Sequence, residues 1–229
     1  MEHKHRAFQL ELAELRTKVS RMGELVIEQV ERALVCLKER DIGDARAIIE
    51  RDINVNRIDI DVEEMCLQFL ALHQPVAGDL RFITAAMKIT TELERIGDRV
   101  VNLCEAVVYG GAHYPVPTDA QVLQIGRLAA AIVRDAMAAF SRSDAALVHP
   151  VMEKDKDFDA LYSHVFPNLI TSLAKDPERI ARDAKLALLS KDLNEISEHA
   201  TNIAEMVMFM VEGKELHHMD MYERLARID

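Results

Sequence analysis

The chain has no tryptophan, and aromatic residues make up only 5% of its 229 positions. Its core must therefore be aliphatic and methionine-rich. With 8 glycines and 6 prolines, it is too poor in turn-formers for a loop-rich all-β fold. The three cysteines, Cys36, Cys66 and Cys104, are far apart and form no C-x-x-C pair. They read as small buried hydrophobes in a reducing compartment. There is no 18-residue apolar run, so no membrane insertion is expected. The N-terminal "MEHKHRAFQLELAEL" lacks an apolar signal-peptide segment, and a cytoplasmic location is expected. Positive charge is also short. Lys and Arg number 28 against 39 Asp and Glu, a net −11. With no basic patch in view, nucleic acid is not an expected partner. Cations and basic protein surfaces are.

What remains is helix-forming material: Ala, Leu, Glu, Arg and Met, with 49% hydrophobic residues. From Ala7 to Glu39, Phe8, Leu12, Leu15, Val19, Met22, Val26, Ala33 and Leu37 follow steps of three, four and their sums. That is the seam of a bundle helix. After the turn "RDIGDA", a second helix is expected over 44–72, with Val55, Ile58, Val62, Met65 and Phe69 on one face. "HQPVAGD" ends it at Pro75. A third helix is expected from about Val76 or Asp79 to Tyr109, with Leu93, Ile96, Val100, Leu103 and Val107 as its stripe. Short turns between long helices make an up-down-up bundle.

"YGGAHYPVPTD" (109–119) is the one marked composition shift and reads as a boundary. Beyond it the first half repeats. A shift of 103 places Val19 on Val122, Gly23 on Gly126, Leu25 on Leu128, Val30 on Val133, Ala33 on Ala136, Asp41 on Asp144 and Asp52 on Asp155. A shift of 100 then places Ile96 on Ile196, Asn102 on Asn202 and Glu105 on Glu205. The expected fold is all-α: two tandem three-helix bundles, six long antiparallel helices. The units are 1–110, a linker at 111–118, 119–212, and a C-terminal tail at 213–229. Pro150 and Pro167 predict a kink or break in the fifth helix.

Polar residues form columns. Glu94, Asp98, Asn102 and Glu105 stack on the third helix, roughly opposite its apolar stripe at ~100° per residue. Asp52, Asn56, Asp59 and Glu63 stack on the second. The second half carries a thinner echo: Asn194, Glu198, Asn202 and Glu205 on the sixth helix, with Asp155 and Asp159 on the fifth. Outward acids on a helix are solvated surface by default. Four apart, they also repel by roughly 0.2–0.5 kcal/mol per pair. Two converging columns offer another use. Carboxylate and amide oxygens suit Mg²⁺, Mn²⁺ or Ca²⁺, and Fe or Zn can join them. A third use is docking an Arg- or Lys-rich partner. A di-iron oxidase centre would need inward carboxylates and two Glu-x-x-His pairs. Glu215 and His218 supply one such pair, in the tail. The chain has no Walker A loop, G-x-S-x-G or H-E-x-x-H motif, so an enzyme is not expected. The alternatives kept open are a metal-dependent helical-bundle enzyme and a metal-storing structural bundle. No Arg-rich anion pocket is visible, so direct sensing of an anion is not expected. "MVMFMV" (206–211) reads as core or as a homodimer contact.

"QPVAGDLRFITAAMKITTELERIGDRVVNLCE" and "HATNIAE", with "MGELVIEQVERAL" and "RDIGDARAIIERDINVNRID", resemble the signature segments of the PhoU family. The resemblance spans about residues 8 to 211. It implies tandem three-helix bundles and a cytoplasmic, non-catalytic negative regulator of phosphate-starvation signalling. Such proteins couple a phosphate ABC transporter, through its ATPase subunit, to a sensor histidine kinase. The family pattern E/D-x-x-x-D, which in some members binds multinuclear metal clusters, is met by Glu94 and Asp98. In the second copy Asn194 replaces the first acid, Glu198 the second, and Ser197 replaces the glycine. The second site is therefore expected to be weaker, or given over to partner contact. Asp52, Asn56, Asp59, Glu94, Asp98 and Glu105 are the expected contributors at the first.

Overall fold

The computed structural model describes residues 2–110, 119–175 and 179–214. The proposed linker at 111–118 and the Glu215–His218 pair lie outside the described residues. Among the described residues seven α-helices follow in order: α1 Glu2–Glu39, α2 Ile42–Arg51, α3 Ile53–His73, α4 Ala77–Gly110, α5 Ala120–Arg142, α6 Val148–Lys175 and α7 Ile180–Glu212. A 3-10 turn, Ala145–Leu147, leads into α6. Among the described residues there is no strand.

The expected second helix is two, α2 and α3, divided at Asp52. The rod nevertheless continues through this residue. Its backbone is helical (φ −60°, ψ −26°), its N–H reaches the Ile48 carbonyl, and its carbonyl accepts from Asn56 N–H at 3.2 Å. Six rods therefore remain, in the all-α tandem arrangement. α6 is not broken. Proline 150 falls in its first turn, where a missing N–H costs no hydrogen bond, and the helix runs on through Pro167.

The turns repeat as faithfully as the helices. After α1, Arg40 takes a left-handed backbone (φ 60°) and Asp41 caps α2, accepting from Asp44 N–H at 2.9 Å. After α5, Ser143 does the same (φ 49°), and Asp144 accepts from Ala146 N–H at 2.9 Å. These pairs are 103 residues apart. At the tip of the first bundle Gln74 caps α3 with φ 47°, and Pro75 stops the helix.

The apolar seams pack as the spacing requires. Every residue of the α1 seam and of the α4 stripe is buried, and on α3 Val55, Val62 and Phe69 are buried with Ile58 and Met65 packed against them. Within 206–211, Val207 and Met210 are core, so that stretch is largely interior. The three cysteines are free and buried, and burial pushes each thiol up to about 12.

One hydrophobic core runs through both repeats. α1, α4, α7 and α5 form a central square, each packing on its neighbours, while α2 and α3 flank α1 and α4, and α6 flanks α5 and α7. An approximate two-fold axis relates the halves. Gly23 on α1 lies under Met137 of α5, and Gly126 on α5 lies under Leu34 of α1. A shift of 103 exchanges these two contacts, so α1 and α5 cross antiparallel with a glycine notch seating the other helix's side chain.

Candidate functional site

Asp52 marks the first repeat's polar centre. It is only 6% exposed, not on an outward column. The reason is local. Asp52 stands four residues after Ile48 and three before Val55, both fully buried, so it shares the inward side of the rod that faces α4. Gly97 makes room for it: a Cβ there would stand 2.8 Å from Asp52 Oδ1. Burial and the neighbouring Asp98 raise the Asp52 carboxyl, while the amides of Gln29 and Asn56 draw it back down. Glu94 is likewise raised by burial, then by Asp98, Asp59 and Asp52. Four of the expected residues thus lie in one another's field, on the α2–α3 junction, α3 and α4.

This cluster is polar beyond its own needs. Oδ1 of Asp52, Oδ1 of Asn56 and Oε1 of Gln29 are all buried without a hydrogen-bond partner. Three orphaned acceptors in one neighbourhood are costly unless something positive meets them. Their donor set, carboxylate and amide oxygen, is the chemistry of hard cations. Among the described residues, though, no three His, Cys, Asp or Glu side chains are gathered as metal ligands. A cation would have to draw Glu94 and exposed Asp98 inward. Glu105 is half-buried further along α4 and is not among the charges acting on Asp52 or Glu94.

The second repeat closes the same place with its own side chains. Ser197, in the position of Gly97, donates to Asp155 Oδ1 at 3.0 Å. Asn194, in the position of Glu94, donates to Glu198 at 2.6 Å. Asp155 is still raised, by burial first, then by Asp159 and Glu198 against the serine bond. Glu205 is half-buried on α7 and plays no part in that balance. One repeat leaves oxygens unmet; the other satisfies them internally.

The two asparagines serve neither acid column. Asn102 Nδ2 donates across to Asp192 of α7 at 3.1 Å, and Asn202 Nδ2 donates back to Glu92 of α4, also at 3.1 Å. A shift of 100 exchanges these bonds, so they form a two-fold clasp between the bundles. His199 Nδ1 adds a 2.7 Å contact to Glu92, and Arg99 lies 3.7 Å from Asp192 and 3.2 Å from Glu195. Sequence reasoning missed Glu92, Asp192 and Gln29. The signals were present: Glu92 and Asp192 are 100 residues apart, and Gln29 interrupts the α1 seam between Val26 and Ala33.

Fold and site define a class: a duplicated helical bundle that presents carboxylates between helices. The PhoU domain matches residues 19–107 and again 122–207, the two repeats found above. A phosphate-specific transport system accessory protein PhoU homolog of Pseudomonas putida is 34% identical over 227 residues, covering 99% of this chain and 89% of that one. The phosphate-specific transport system accessory protein PhoU of Serratia marcescens is 30% identical, covering 95% and 90%. The crystal structure of PhoU from Pseudomonas aeruginosa superposes with a TM-score of 0.85 at 33% identity, covering 90% of this chain and 100% of that one. The phosphate transport system regulatory protein PhoU from Streptococcus pneumoniae gives 0.82 at 29%, covering 91% and 99%. The chain belongs to the PhoU family. Among the described residues, no helix is long and apolar enough to cross a membrane.

Proposed function

We propose that this chain is an accessory regulator of phosphate transport that acts by binding partners. The double family match over both repeats carries this reading, together with relatives named as accessory or regulatory proteins of that system. The family is non-catalytic, and the chain is not an enzyme. On this reading it works in the cytoplasm, bridging the transporter's ATPase subunit and a sensor histidine kinase. It holds the phosphate-starvation response off when phosphate is plentiful.

The cluster around Asp52 gives that reading a chemical handle. A divalent or transition cation (Mg, Mn, Fe or Zn) held by Asp52, Asp59, Glu94 and Asp98, with the Asn56 oxygen, would meet the orphaned acceptors. It would also relieve the repulsion that raises two of the acids. The contribution of this chain's residues is a charge change: a strongly negative patch when empty, and one less negative by the ion's charge when filled. Such a change alters which partner surface the patch accepts.

The test is genetic. A strain lacking the gene, grown in excess phosphate, should express its phosphatase constitutively. The wild-type gene should restore repression, and the ATPase subunit and kinase should co-purify with the tagged chain. Normal repression in the deletion strain would undercut the regulatory reading.

A further inference from the structure

A second surface, away from the carboxylate cluster, combines an apolar floor with a local excess of basic residues. Between α1 and α5 runs an open groove of about 480 Å³. Its floor is Leu34, Leu123 and Ala130, with Val35, 50% exposed, at its side. Leu34 of the floor is seated against Gly126 at this level. Lys38, Arg127 and Arg134 stand around the floor with one acid, Glu31. Arg134 pairs with Glu31 across the groove. Lys38 and Arg127 have no carboxylate partner among the described residues. In a chain where acids outnumber Lys and Arg 39 to 28, a site with three cations and one acid is a local reversal of sign.

We propose that this groove docks an amphipathic helix of a partner protein, one presenting an apolar ridge flanked by glutamates or aspartates. The apolar floor takes the ridge, as in helix-in-groove recognition, and the two unpaired cations take the flanking acids. Charge excludes the competing occupants. A second copy seated two-fold on the same groove would set its own cations against these. An anionic membrane would gain about 1 kcal/mol per basic residue near it, against the repulsion of a chain of net charge −11. The surface deepens the accessory reading and rests on it for biological meaning, but its test involves no transporter component.

The probe is a fluorescein-labelled amphipathic helical peptide of about five turns, with a leucine ridge flanked by Glu. Matched peptides carry Gln or Lys instead of Glu. Anisotropy titrations with the full chain should rank Glu above Gln above Lys, with at least about tenfold between the extremes and an advantage that shrinks as salt is raised. Lys38→Glu/Arg127→Glu should weaken the Glu peptide about tenfold or more and strengthen the Lys peptide. Val35→Asn, which removes apolar contact without adding charge, should weaken all three. Far-UV circular dichroism checks that these surface variants fold. Binding without charge ranking, or unchanged by the double variant, overturns the proposal. So does a dimer in sedimentation that Arg127→Glu abolishes, or charge-dependent binding to phosphatidylglycerol vesicles in place of peptide. Normal repression in the deletion strain would undercut the regulatory reading and leave this result untouched, so the two readings fail separately.

Discussion

Asp52 and Asp155 occupy the same place in the two repeats, and the side chain opposite each decides their difference. Gly97 leaves Asp52 Oδ1 unmet, whereas Ser197 donates to Asp155. In chelator, Asp52→Asn should stabilise the protein, because a carboxyl raised by burial and by Asp98 is a charged group the fold disfavours. With millimolar Mn²⁺ the order should reverse; urea denaturation in both buffers checks it. Gly97→Ala should cost about 1–3 kcal/mol, since its Cβ crowds Oδ1. Gly97→Ser should cost less than Gly97→Ala, because its hydroxyl supplies the missing donor. Ser197→Gly should lose about 2 kcal/mol through the broken bond and a helix-interior glycine.

At the scale of helices, the clasp between α4 and α7 has a defined pH signature. Glu92 is partly buried, which alone would raise it, but contacts from His199 and Asn202 hold it below the ordinary carboxylate value. Its stabilising contribution is therefore present above the unfolded value near 4.5 and is lost as pH falls through the depressed folded value. Glu92→Gln should cost about 1–2 kcal/mol at pH 7, with the gap closing below pH about 4. Asp192, its counterpart 100 residues on, is raised instead, because burial outweighs Asn102 and Arg99. The penalty for Asp192→Asn should be smaller at pH 7 and should not shrink in acid. Thermal unfolding between pH 3 and 8 separates the two.

The helical scale is also where the sequence was most legible. The α1 and α4 seams and the repeated caps at Asp41 and Asp144 follow from periodicity and turn chemistry. Periodicity shows only that a residue faces out of its own bundle, not whether solvent or a second bundle lies there. That is why Asn102 and Asn202 read as members of acid columns and proved to be inter-bundle donors. Asp52 was grouped with an acid column although it also lies four residues from Ile48 and three from Val55, both buried, and its own burial follows from that side of the rod. Replacing Gly126 by Ala should be worse than replacing Gly23. Leu34 is branched and fixed, whereas the Met137 tip in the other notch can swing aside.

Over the whole molecule, the continuous core makes the two repeats one folding unit. Urea should produce a single transition, and residues 1–110 alone should melt broadly, with the α1 and α4 faces that pack on α5 and α7 left bare. Duplication here has produced unequal halves: the first leaves acceptor oxygens unmet, and the second has closed them with Ser197 and Asn194. The most direct measurement is calorimetric titration of chelator-stripped protein with Mn²⁺. Saturable binding that disappears in Asp52→Asn/Glu94→Gln/Asp98→Asn and persists in Asp155→Asn/Asp159→Asn is the predicted result. Binding unchanged by the first set of substitutions, or abolished by the second, would contradict it.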